Sequence, residues 1–345
     1  MSAARRYGES VHELLPTGAA VGLGPPPVLL RRRLPRWGVT SAKIAIVGAG
    51  AVGSTLAYAC LVRGVATTVA LHDVDAAKVR AEELDLRQGL QFLPTAHVEG
   101  SADVSVCAGA QVVAVTAGAK QQPGQTRLDL AASTTRMLRS LMPALVEAAP
   151  DARFVMVTNP VDVVTYAAQK LTGLGTEQLF GSGTVLDSAR LRGLVAARCG
   201  VAVQNVHAYV VGEHGDSEIP LWSSASIGGV PVTDLVTAAD RDAMAAEVVG
   251  AAYEIIKGKG ATNYAIGVSG SRIIEAVLRD EKRVLPVSTL LDDYHGIGDV
   301  CLSVPTVVGS GGAERRLEVP MSEAELAGLR ASADRIRSTA RDLGF

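Results

Sequence analysis

The sequence predicts an α/β protein in which a doubly wound parallel sheet is followed by an α+β domain. Three observations carry this expectation. Short β-branched runs alternate with helical patterns from residue 43 to about 180, a glycine-rich turn joins the first run to the first helix, and beyond residue 181 the rhythm changes to short strands and long helices. Strands alternating with helices imply a parallel sheet covered on both faces. At 345 residues the chain exceeds the usual single-domain size, so segments 1–42, 43–180 and 181–345 are expected, with a cleft between the two larger ones.

Residues 1–42 mix Pro, Gly and Arg without a helical or strand period. Arg5-Arg6 suggests an export signal, but Glu9, His12, Glu13 and Pro16 interrupt the apolar segment that should follow. A flexible arm, or an upstream start codon, explains the segment better. Next, Ile44 to Val62 is uncharged and about as long as a transmembrane helix. Hydropathy alone would make it a span. However, "KIAIV" is a compact strand pattern, Gly48, Gly50 and Gly53 fall as G-x-G-x-x-G, and a helical pattern starts at once. The order is strand, tight turn, helix.

"TTVALHD" is the second strand pattern and ends in Asp73, 25 residues beyond Gly48. An acidic residue at that distance hydrogen-bonds both hydroxyls of an adenosine ribose and repels a 2′-phosphate. The expected cofactor is NAD rather than NADP. Gly48 makes the turn, Gly50 lets the backbone approach the pyrophosphate, and Gly53 lets helix pack on strand. The helix N-terminus adds free amides for the phosphates. This makes the first domain of Rossmann type.

Further strands are expected at 111–117, 153–159 and 178–183. Ligands of an open parallel sheet sit beyond the carboxyl ends of its strands. "TAGAKQQPGQTR" (116–127) leaves one such end with Gly118, Pro123 and Gly124, the composition of a closing lid or of an ordinary surface loop. After it come a helix at 185–199, strands near 206–212 and 221–232, helices at 240–257 and 263–279, a strand-rich segment 284–309 and a last amphipathic helix, 321–343.

Composition excludes several functions. The formal net charge is −2, with +4 on residues 1–42 and −6 on the rest, and aromatic residues make up 4%. A mildly acidic body with few stacking platforms is not a nucleic-acid binder. Cys60, Cys107, Cys199 and Cys301 lie far apart, with no C-x-x-C and no histidine at ligand spacing. Reduced thiols in a cytoplasmic protein are expected, without a disulfide frame or a structural metal.

The chemistry concentrates in two stretches. In "GTVLDSARLRGLVAARCG" (183–200), Asp187 and Arg190 share a helix face. Thr184 and Asp187 match a capping box in outline, and Asp187 with Arg190 fits a surface ion pair. In "VVGEHGDSEIP" (210–220), an apolar strand runs straight into polar groups around His214, with Gly212 and Gly215 leaving clearance. Taken alone, each has an ordinary structural explanation. Together they suit reduction of a 2-oxo acid by NADH, which needs a proton donor, a clamp for the carboxylate and a positive charge near the developing oxyanion. A histidine supplies the first, if a carboxylate raises its pKa and fixes its ring. Arginine supplies the second through two parallel hydrogen bonds.

"GAGAVG", "TNPVD", "GTVLDSARLR", "GEHGDSE" and "KGKGATNYAIG", in this order, resemble the L-lactate dehydrogenase branch of the lactate/malate dehydrogenase family, over residue 43 to the C-terminus. The resemblance implies a catalytic second domain with His214 as proton donor and acceptor, Asp187 as its carboxylate partner, Arg190 as carboxylate clamp and Arg127 as the loop arginine that polarises the carbonyl. Asn159 would hold the substrate oxygen and orient the nicotinamide, Val52 belongs to the cofactor turn, and Ile266 presses on the nicotinamide face. Malate dehydrogenases resemble one another in an arginine six before the loop arginine, where this chain has Gln121. A neutral amide leaves the second carboxylate of oxaloacetate unpaired, so pyruvate is favoured, with Thr262 as a small pocket wall. Malate, a bulkier 2-hydroxy acid, or non-catalytic NAD binding are the alternatives.

His207 lies seven residues before His214 and shares a strand face with Tyr209, while Arg192 lies two beyond Arg190. Both suit solvated side chains. The resemblance to bacterial enzymes activated by fructose 1,6-bisphosphate makes them a phosphate site across a subunit interface of a homotetramer, where a polyanion relieves the repulsion of like charges.

Overall fold

The computed structural model describes residues 42–118 and 127–345, with Arg127 by its helical backbone alone. Residues 1–41 and the lid segment with Gln121 lie outside the described residues.

The chain opens with β1 (Lys43–Val47), α1 (Ala51–Val62), β2 (Thr68–His72), α2 (Ala76–Gly89), β3 (His97–Ser101), β4 (Val112–Val115), α3 (Arg127–Ala148), β5 (Arg153–Met156), α4 (Val161–Thr172) and β6 (Leu179–Gly181). These six strands pair in parallel in the order β6-β5-β4-β1-β2-β3. The central strands β1, β4 and β5 are buried and almost uniformly apolar, as a sheet covered on both faces requires, while the edge strand β3 is largely polar and half-buried. One face packs Leu56 and Leu61 of α1 against Ile44 and Ile46, and the other packs Leu138, Met142 and Leu145 of α3 against Val113 and Phe154. The strand order reverses between β1 and β4, which opens a crevice at their carboxyl ends. The apolar run 44–62 is thus strand, turn and helix, and no helix among the described residues is long and apolar enough to cross a membrane.

The second half comprises α5 (Val185–Cys199), the two-residue strands β7 (Val206–His207), β8 (Val210–Val211), β9 (Ile219–Pro220), β10 (Ser226–Ile227) and β11 (Val230–Pro231), then α6 (Val232–Leu235), α7 (Ala238–Lys259), α8 (Tyr264–Leu278), β12 (Arg283–Leu291), β13 (Val300–Gly309), β14 (Gly312–Arg316) and α9 (Glu323–Asp342). The antiparallel trio β12–β14 continues the parallel sheet, because Ser288 of β12 pairs with Gly181 of β6. A single nine-stranded sheet therefore runs through both halves.

Three local expectations are corrected. The strand expected at 206–212 is two short strands, because Val206–His207 pairs with β10 while Val210–Val211 pairs with β9. The strand expected near 221–232 is broken by a turn in which Gly228 and Gly229 take positive φ (56° and 87°). The capping box expected at Thr184 is absent: its hydroxyl donates to the Val210 carbonyl (2.5 Å) and so ties α5 to β8. A true capping box forms at Ser322 and Glu325 instead, at the start of α9.

Candidate active site

The cofactor turn is defined by steric limits at its glycines. Gly48 has φ +102°, and a Cβ there would lie 2.6 Å from the Ala117 nitrogen, across the β1/β4 crevice. A Cβ on Gly53 would stand 1.8 Å from the Gly48 carbonyl oxygen. Gly50 differs: the nearest atom to its Cβ would be Lys78 Nζ at 3.8 Å. Gly48 and Gly53 are thus dictated by the protein's own backbone, while the space at Gly50 is open and suits a pyrophosphate above the N-terminus of α1. Val52, in the first turn of α1, packs partly buried against the core.

Asp73 ends β2 beside this turn and accepts from the backbone nitrogens of Ala49 (2.8 Å) and Asp75 (3.1 Å). Burial raises its pKa, but these hydrogen bonds and Lys78 Nζ (3.4 Å) outweigh that and hold it below the usual carboxylate value. A fixed anion at the strand end is what a ribose diol requires. Lys78 escaped the sequence reading. Its place five residues after Asp73, one turn into α2, is the signal that would have found it.

The second cluster surrounds a cleft of about 660 Å³ lined by Asn159, Asp187, Arg190, His214 and Glu218. Asn159 stands beyond the carboxyl end of β5, and the peptide joining it to Pro160 is cis. From α5, Asp187 is almost fully buried and accepts from two directions: His214 Nδ1 lies 2.6 Å from Oδ2, and Arg190 Nη1 lies 2.7 Å from Oδ1. The i,i+3 ion pair expected from sequence is present, but it is buried and shared with the histidine. Burial pushes the Asp187 carboxyl up, yet His214 and Arg190 overcome this and keep it ionised. For His214, burial works against the proton, but Asp187 prevails, with Asp162 and Glu218 assisting, and the pKa rises to about 9. The two shifts agree in direction, as an ion pair demands.

The His214 loop is anchored from behind. Gly212 exchanges backbone hydrogen bonds with Ser303 of β13 (2.9 and 3.0 Å), and Glu213 N donates to Ser332 Oγ of α9 (2.8 Å). His214 N donates to Asp162 Oδ2 (2.7 Å), whose other oxygen accepts from Ser288 Oγ (2.6 Å). Burial raises the Asp162 pKa to about 6 despite these donors. Asp162 is the second residue that sequence reasoning missed. It lies in "TNPVD", and only the fold brings it under His214.

The remaining candidates sit elsewhere or undescribed. Thr262 precedes α8 and Ile266 packs partly buried against the first core, and neither lines the cleft. Arg127 begins α3, with its side chain undescribed. Arg192 and His207 also lie off the cleft lining. Arg192 Nε donates to the Ala208 carbonyl (2.8 Å) and the guanidinium stacks 5.0 Å from the Tyr209 ring centre, while His207 is exposed.

A dinucleotide turn at the switch point of a parallel sheet, with a carboxylate–histidine pair and an arginine in the neighbouring cleft, defines an NAD-dependent oxidoreductase. Comparison with known proteins specifies it further. The family model "lactate/malate dehydrogenase, NAD binding domain" matches residues 42–181, and "lactate/malate dehydrogenase, alpha/beta C-terminal domain" matches residues 184–342. The chain belongs to the lactate/malate dehydrogenase family and is an NAD-dependent 2-hydroxy acid oxidoreductase. It is 54% identical over 311 residues to an L-lactate dehydrogenase of Bifidobacterium animalis subsp. lactis, covering 88% of this chain and 97% of the relative. It is 46% identical to an L-lactate dehydrogenase of Synechococcus sp., over 86% of this chain and 97% of the relative. Among solved structures, the ligand-bound minor L-lactate dehydrogenase of Enterococcus mundtii superposes with TM-score 0.85 at 36% identity, over 88% of this chain and 98% of that one.

Proposed function

We propose that the protein is an L-lactate dehydrogenase that reversibly reduces pyruvate. The single observation that carries this reading is the buried Asp187 holding both His214 and Arg190 at the edge of one cleft. Protonated by its pairing with Asp187, His214 presents Nε2 to the substrate carbonyl and gives up the proton as that oxygen becomes a hydroxyl. Bound NADH supplies the hydride to substrate C2. Arg190 spends one nitrogen on Asp187, and among the described residues its other nitrogens make no hydrogen bond, which suits a two-point grip on the carboxylate. Asn159 holds the carbonyl oxygen from the far side, and Arg127 arrives with the lid, polarises the carbonyl and excludes water. Gln121 selects against a second carboxylate, Ile266 backs the nicotinamide, and Thr262, off the lining of the cleft among the described residues, is assigned the small pocket wall by family resemblance alone. Gly48, Gly50, Val52, Gly53 and Asp73 seat the dinucleotide.

In this reading Arg192 and His207 form a phosphate site at a subunit interface of a homotetramer, and fructose 1,6-bisphosphate stabilises the active assembly. Their position off the cleft and the exposure of His207 fit a second ligand. The four cysteines are free, which fits a reducing cytoplasm.

The test is NADH oxidation with pyruvate and with oxaloacetate, each with and without fructose 1,6-bisphosphate at low protein concentration. A higher kcat/KM for pyruvate, with an apparent KM that falls when the bisphosphate is added, is expected. Preference for oxaloacetate would remove the role given to Gln121. An unchanged saturation curve would remove that of Arg192 and His207.

A further inference from the structure

Glu218 is the acidic group next to the Asp187–His214 pair that this mechanism leaves without work. It sits four residues past His214, lines the cleft, and brings a carboxylate oxygen within 4.8 Å of both a His214 ring nitrogen and an Asp187 oxygen. Its Oε1 is buried and has no hydrogen-bond partner among the described residues. A buried oxygen without a partner is destabilising, so the carboxyl is held at the cleft at the expense of stability. We propose that Glu218 is a charge gate: as a neutral acid it admits an anionic substrate beside Arg190, and as a carboxylate it turns such substrates away and holds the proton on His214.

The surroundings set the sign. Asp187 and Arg190 face Glu218 from α5, and Asp216 and His214 face it from its own loop. Tyr253 of α7 donates to Asp216 Oδ1 (2.8 Å), Glu213 and Asp162 face His214's side of the loop, and Arg335 of α9 lines the same cleft. Burial raises the Glu218 pKa most, Asp187 and Asp216 add to it, and His214 with Arg190 pull it back, leaving about 8. At neutral pH the group is therefore mostly neutral, and of the three groups packed around it at the clamp Asp187 alone is anionic, against Arg190 and protonated His214. Above about pH 8 a second negative charge appears beside the clamp. The substrate carboxylate then meets repulsion while His214 keeps its proton, so binding weakens before proton donation is lost.

This inference rests on the reading of the cleft as a 2-oxo acid site. The experiment compares the full-length enzyme with Glu218→Gln, a neutral isostere, and with Glu218→Met of similar volume. Two quantities are read: the KM for pyruvate between pH 7 and 9, and the midpoint of the His214 ring titration by NMR, assigned with His214→Asn. The wild-type KM is expected to rise about tenfold over that interval, as a single ionisation near pH 8 requires, ahead of the loss of the His214 proton, whereas in both variants the rise follows the His214 titration itself. The His214 midpoint is expected to fall in both variants by on the order of one pH unit. A wild-type KM that rises only with the His214 titration overturns the gate. An unchanged midpoint overturns the coupling whether or not pyruvate is the substrate. A fallen midpoint without pyruvate turnover in the wild type upholds the coupling and sinks the reading of the reaction.

Discussion

Asp187 shows how one buried carboxylate can organise a site. It would be costly to hold ionised at 2% side-chain exposure, and two cationic partners at 2.6 and 2.7 Å offset that cost. Because Arg190 shares Asp187 with His214, replacing it affects more than charge. Arg190→Lys keeps the cation but loses the planar fork, so one ammonium must serve both Asp187 and the substrate. A fall in kcat/KM for pyruvate of roughly 10- to 100-fold is expected, mostly through KM, the loss of one or two charge-assisted hydrogen bonds. Steady-state kinetics at pH 7 check this, and a kcat effect with KM unchanged would contradict the clamp. Asp187, Arg190 and His214 stood out in the sequence because local spacing groups them and the family resemblance gives the grouping a meaning that spacing alone does not. Asp162 and Lys78 did not, since their importance comes from which loop the fold lays across them.

At the scale of elements, the turn between β1 and α1 separates structural from functional glycines. Gly53→Ala would drive a methyl to 1.8 Å from a backbone oxygen, where no flexible side chain can give way. A destabilisation of about 1–3 kcal/mol or more is expected, read as a lowered Tm. Gly50→Ala meets nothing nearer than 3.8 Å and has φ −78°, so the melting curve should barely move, while NADH affinity measured by fluorescence falls. An unaltered NADH affinity in Gly50→Ala would contradict the pyrophosphate seat. Five of the six parallel strands and the long helices were legible because each carries a clear pattern, whereas β3, the largely polar and half-buried HVEGS, carries none. The region 206–232 was less so: its strands are two residues long, too short for any alternation, and their partners lie far along the chain.

At the scale of the molecule, the continuous sheet is the feature the sequence did not reveal. The change of rhythm after residue 181 points to a second, α+β domain, and its strands β12–β14 extend the first sheet through one pairing, Ser288 with Gly181. Register between distant strands leaves no local trace. The consequence is mechanical: Ser288 and Ser303, on β12 and β13, hold the carboxylate and the backbone behind His214, so the His214 loop is built on the sheet whose other half carries the dinucleotide turn. The central claim, that His214 donates the proton in pyruvate reduction, is tested most directly by His214→Asn, with kcat/KM for pyruvate and NADH affinity measured side by side. The account predicts a loss of about 10²- to 10⁴-fold in kcat/KM with NADH binding intact. Near wild-type turnover in the variant would contradict it.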